Sequence, residues 1–165
     1  MEKIIQKAEE FALSEIERYG APLKLNFDAS NKKGLELARR LGADKNIVQI
    51  GTRLMDIKLG EALSKGKLKD HVNMSVETSK EFLSKFNLPG EVISRILECV
   101  QDHHKTFWSS KEAEICANAD CYRFILVKNW LVFFNSLGKR DTSFDEDLKT
   151  AEEKLEEKWN ILSLK

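Results

Sequence analysis

Two prolines, three histidines and three cysteines are all that the 165 residues contain of these types. With only Pro22 and Pro89, few positions forbid a continued helix. Cys99, Cys116 and Cys121 form no C-x-x-C pair and are odd in number, which fits reduced, partly buried thiols in a cytoplasmic protein better than a disulfide framework. Net charge is also absent: Lys+Arg and Asp+Glu both number 27, so no strong nucleic-acid signal is present. Long hydrophobic runs are missing as well. The most apolar stretch, "FILVKNWLVFF", is interrupted by Lys128 and Asn129, is too short to span a bilayer and reads as core. The N-terminal "MEKIIQKAEEFALSE" is amphipathic and acidic, unlike a secretory signal. A cytoplasmic protein without a membrane partner is expected.

Strand-like alternation is scarce, and apolar residues recur at helical spacing instead. Ile4, Ile5, Ala8, Phe11, Ala12 and Ile16 form one stripe, closed by Gly20. "APLKLNFDAS" reads as a loop before a short helix around 34–41 that Gly42 ends. Asp44 can cap the next helix, which carries Ile47, Ile50, Leu54 and Ile57. A Gly- and Lys-rich loop over 60–69 precedes helices at about 70–86 and 90–104. Ser109 or Ser110 then caps the longest helix, running to about Leu137. The reading is a single all-α domain over 1–165 with six to seven helices. Its motif-bearing core covers about 26–137, with a peripheral C-terminal helix at about 144–162. That helix has an apolar edge of Leu148, Ala151, Leu155, Trp159 and Leu162, which packs on its own domain or serves a homodimer.

Chemistry concentrates on a few polar residues inside apolar stripes. Asp120 interrupts Ala113, Cys116, Ala117, Phe124, Val127, Leu131 and Phe134, so its carboxylate is expected to be buried. It then needs a cation: a bound ion, or a salt bridge to Arg123 or Arg53. His71 shares a face with Met74, Ser75, Thr78 and Phe82, and His103–His104 end the stripe of Ile93, Ile96, Leu97 and Val100. Neutral imidazoles with a carboxylate make a common site for divalent ions; each histidine singly also suits a helix cap or a structural hydrogen bond.

The order Asp56, His71, His103–His104, Asp120 resembles the HD-domain superfamily of metal-dependent phosphohydrolases, an all-α family with the plan H…HD…H…HH…D. "LMDIKLGEA" resembles its "LLHDIGK" signature, "ANADCYRF" its final "DAD", and "LELARRLGADKNIVQIGTRL" the helix pair leading into the signature. The resemblance covers about 26–124. The departures are Asn26 for the first histidine, Met55 for the histidine of the HD pair, Lys58 for the glycine after it and Asn118 in "NAD".

In two-metal members, one site combines the first histidine, the HD pair and the final aspartate. Carried over, that site here is Asn26, Met55, Asp56 and Asp120, and it has lost both imidazoles. The other site, Asp56, His71, His103 and His104, keeps every side chain. The resemblance therefore implies a single-metal variant of the family's binuclear centre, because a thioether and an amide are poor substitutes for imidazole. The metal set is Asp56, His71, His103 and His104 with Asp120 nearby, for one divalent ion of Mn, Fe, Ni, Zn or Mg. Asp28 could reach the altered site only with a shifted loop. Asp56 and Asp120, with Lys58 and Arg123 near the phosphate, are the catalytic candidates, and Arg53 is a further cation within a turn of the site. Phe107 and Trp108 either wall a pocket or belong to the core. Two functions stay open: a phosphohydrolase acting on a nucleotide or other small phosphoester, or a degenerate HD domain that binds metal, ligand or protein without turnover.

Overall fold

A computed structural model of the chain describes residues 1–164, and no strand occurs among them. The α-helices run in chain order as α1 Glu2–Tyr19, α2 Lys24–Leu41, α3 Lys45–Leu54, α4 Leu59–Ser64, α5 His71–Leu83, α6 Gly90–Asp102, α7 Lys111–Ile125, α8 Val127–Leu137 and α9 Phe144–Ile161. A single 3-10 turn, Leu68–Asp70, leads into α5.

Local chemistry sets most of these boundaries. Gly20 and Gly42 end α1 and α2 in the left-handed conformation, at φ 74° and 64°, where a side chain would be strained. Asp44 accepts from the backbone N–H groups of Asn46 and Ile47, and Ser110 accepts from that of Ala113, as N-caps do. α9 opens on a reciprocal capping box between Ser143 and Glu146.

Three expectations need correction, and the last two raise the helix count above six to seven among the described residues. The segment read as a loop before residue 34 is the first half of α2, because Phe27 and Ser30 continue its buried face. The Gly- and Lys-rich stretch contains α4, in which Gly60 and Ala62 are buried. The longest helix is two: the chain leaves helical geometry at Leu126 (φ −66°, ψ 118°). That break redirects α8, so that Asn129 reaches back to donate to the Leu25 carbonyl and to Asn26 Oδ1.

α7 lies at the centre, packed by α2, α3, α6, α8 and α9. It can be surrounded because its buried positions are largely small: Ala113, Cys116, Ala117, Ala119 and Cys121. Close approach recurs at Gly51 of α3, where an added Cβ would lie 2.5 Å from Cys99 Cβ. Cys99, Cys116 and Cys121 are buried free thiols, and among the described residues no helix is long and apolar enough to cross a membrane.

Candidate metal centre

Asp56 sits in the turn between α3 and α4, which α5 holds in place through a hydrogen bond from the Lys58 N–H to Ser75 Oγ. His71 is the first residue of α5; His103 and His104 follow α6. Asp120 and Arg123 stand one turn apart on α7. Four elements distant in sequence therefore bring side chains to one place. Ligand atoms of Asp56, His71, His103 and His104 all lie within 4.8 Å of one another.

The backbone decides which ring nitrogens face this cluster. His71 Nδ1 lies 2.7 Å from the Leu68 carbonyl oxygen, and His103 Nδ1 lies 2.7 Å from that of Val100. A carbonyl only accepts, so each Nδ1 carries the hydrogen, and a neutral ring then presents a bare lone pair at Nε2. Those Nε2 atoms stand 3.6 and 3.5 Å from Asp56 Oδ1, too far for hydrogen bonds, and both are buried without a partner. Two lone pairs facing a carboxylate oxygen repel unless a cation lies among them. The donor set fits a divalent ion.

Burial lowers the pKa of His71, with the Asp56 charge opposing in part. Burial likewise lowers that of His104 to about 4, against the hydrogen bond with Glu157. Both rings are therefore neutral near pH 7, as ligation requires. His104 Nδ1 lies 3.0 Å from both Glu157 Oε1 and Lys158 Nζ. Lys158 has carboxylates of its own, at 2.6 Å from Asp120 and 3.0 Å from Glu157. An Nδ1–H donated to Glu157 thus satisfies all three groups and again leaves Nε2 free.

The other side of Asp56 is chemically different. Arg123 pairs through Nη1 with Asp56 Oδ2 at 2.6 Å and through Nη2 with Asp120 Oδ1 at 2.7 Å. Lys158 takes Asp120 Oδ2, and both members of that pair have no exposed side-chain surface. Burial alone would raise the Asp56 and Asp120 pKa values; the Arg123 charge overcomes it, joined at Asp120 by Lys158, and holds both carboxyls below their ordinary range. Asn26 Oδ1 accepts from Asn129, and Met55 is core. The void beside Met55, Asp56 and Arg123 measures about 10 Å³, room for about one water. Asp120 meets its need for a cation with Arg123, one of the alternatives its stripe allows, and with Lys158.

The remaining sequence candidates lie elsewhere. Lys58 is held between Glu15 and Glu61 at 2.8 Å each, Arg53 pairs with Glu9, and Asp28 pairs with Lys24 at the surface. Phe107 is 87% exposed, so it is neither core nor a pocket wall. Sequence reasoning missed Lys154, Glu157 and Lys158. The available signal was spacing: Lys158 lies seven residues from buried Ala151 and three from buried Ile161, on the inner edge of α9.

No protein-family model matches the chain, and no curated protein matches it. Among solved structures, it is similar to a predicted HD superfamily hydrolase from an uncultured Thermotogales bacterium. The two are 17% identical and superpose with a TM-score of 0.68, over 93% of this chain and 84% of that one. At this identity the likeness speaks for the path of the backbone, and with the helical architecture above it leads to one statement: the chain has the fold of the HD superfamily.

Proposed function

We propose that the protein is a metal-dependent hydrolase of a small phosphoester, with a single-ion centre held by Asp56, His71, His103 and His104. The observation that carries this reading is the convergence of bare imidazole Nε2 atoms on Asp56 Oδ1. Three imidazoles and one carboxylate suit manganese, iron, nickel or zinc better than magnesium. When bound, such an ion supplies Lewis acidity toward a phosphoryl oxygen and a nucleophilic water near neutral pH.

The chain's own residues do the rest. Leu68, Val100 and Glu157 orient the rings. Arg123 and Lys158 place fixed positive charge beside Asp56 and Asp120, the two aspartates that the resemblance to two-metal HD domains assigns to a further cation. Preorganised charge of this kind needs no rearrangement as negative charge develops on a phosphoryl group. The same pairing favours a second reading, because cations already committed to Asp120 suit a ligand-binding domain without turnover.

Metal analysis of the purified chain, followed by manganese titration and assay against phosphate mono- and diesters, separates the two. The expected result is one ion per chain and hydrolysis that disappears in His103→Ala and His104→Ala. Tight manganese binding with no turnover of any phosphoester would favour the binding reading; no metal binding at all would sink the hydrolase reading.

A further inference from the structure

Beside the candidate centre opens a cavity of about 330 Å³ between α4, α5, α7, α8 and α9. One end is formed by Asp56, His71, His104 and Arg123. Six apolar side chains also line it, Leu59, Leu63, Leu68, Phe124, Phe133 and Leu137, together with Arg140, Thr150, Glu153, Lys154 and Glu157. This size falls within the range of small-molecule sites, where a few polar groups at one end orient an apolar body. Leu63 and Leu68, which line the cavity, are 38% and 47% exposed. Leaving leucine in water is unfavourable unless something covers it.

Charge around the cavity favours an anion. The carboxylates of Asp56, Asp120, Glu153 and Glu157 are matched by Arg123, Arg140, Lys154 and Lys158, all lining the cavity or paired with residues that do. With neutral histidines that set is balanced, so a divalent ion leaves an excess of two positive charges, the complement of a phosphate dianion. Arg123 also retains a buried Nε–H without a hydrogen-bond partner.

We propose that the substrate is a phosphate monoester of an apolar alcohol, its phosphoryl group at the Asp56–Arg123 end and its hydrocarbon or aromatic part in the leucine–phenylalanine cavity. This rests on the phosphoesterase reading above and narrows it. A nucleoside or sugar would set hydroxyls and ring nitrogens against the six apolar side chains, losing hydrogen bonds to water at those contacts. Thr150, on the α9 side, already donates to the Glu146 carbonyl. In hydrolysis, water oxygen forms the new bond to phosphorus as the ester P–O bond breaks. One water proton ends on the departing alcohol and the other on hydrogenphosphate, so the products carry the same charge as the monoester dianion.

The test is binding of non-hydrolysable phosphonates to the manganese-loaded full chain by calorimetry. 1-Naphthylmethylphosphonate is expected to bind at least tenfold tighter than methylphosphonate or a nucleoside 5′-phosphonate. Leu63→Asp, at a part-exposed position that touches no proposed metal ligand, is expected to abolish that preference with manganese affinity unchanged. A nucleoside phosphonate that binds as tightly as the naphthyl probe, or a preference that survives the substitution, overturns this proposal and leaves the metal centre standing. Failure to bind manganese overturns the metal-centre reading and this proposal together.

Discussion

Arg123 illustrates how much can depend on one buried side chain. Its guanidinium neutralises Asp56 and Asp120 at once, and all three are almost fully buried. Removing one partner of a buried ion pair strands the others without solvent. Arg123→Met is therefore expected to destabilise the metal-free protein by about 3–5 kcal/mol, measured by urea unfolding. A loss below 1 kcal/mol would show that water reaches the two carboxylates. Glu157 acts on the centre through His104 instead. Glu157→Gln keeps the shape but weakens the acceptor for Nδ1–H, so manganese affinity is expected to fall about 10–100-fold. Competition against a chelator reads this directly, and an unchanged affinity would remove His104 from the ligand set. At this scale the sequence is informative about residue type but silent about partners. Burial of Asp120 was legible from its stripe, whereas the choice between Arg123, Arg53 and a metal ion was not, because all three satisfy the same electrostatic need.

Among the elements, α3 shows why the site is rigid. It ends at the Asp56 turn and packs against α6, which delivers His103 and His104. The contact depends on Gly51, whose missing Cβ leaves room for Cys99, with Cys116 Sγ also 3.0 Å from the Cβ position. Gly51→Ala is expected to cost about 1–3 kcal/mol through overpacking and to weaken metal binding as α3 and α6 separate. Thermal unfolding and manganese titration of the same variant check both; a stabilised variant would mean the helices adjust freely. Helix starts and stops were readable where capping is local, as at Gly20, Gly42, Asp44 and Ser110. The α7–α8 break was hidden, since "FILVKNWLVFF" carries neither glycine nor proline. Only the hydrogen bonds of Asn129 to Leu25 and Asn26 reveal why the chain turns there.

For the whole molecule, stability and pH are linked through the same site. His71 and His104 have pKa values lowered by burial, so the unfolded chain binds protons that the folded chain does not. Their contribution is complete above about pH 6.5, the ordinary histidine value, and for His104 is lost as pH falls toward about 4. Below that, Asp56 and Asp120, held lower than ordinary carboxyls, lose their paired charges and steepen the decline. The melting temperature of the metal-free protein is accordingly expected to drop between pH 6.5 and 4, and His104→Asn to flatten that slope. A flat profile in the parent chain would mean the imidazoles titrate freely.

What the sequence by itself determined is the helical class and the order of candidate ligands along the chain, because helix periodicity and end-capping act over a few residues. What only the tertiary structure decided is which charges meet. Lys158 sits in "EEKLEEKW", indistinguishable from a solvated helix face until α9 packs on α7 and carries it to Asp120 with no exposed surface. The energy of a buried charge depends on partners from other elements, and no local pattern encodes their distance.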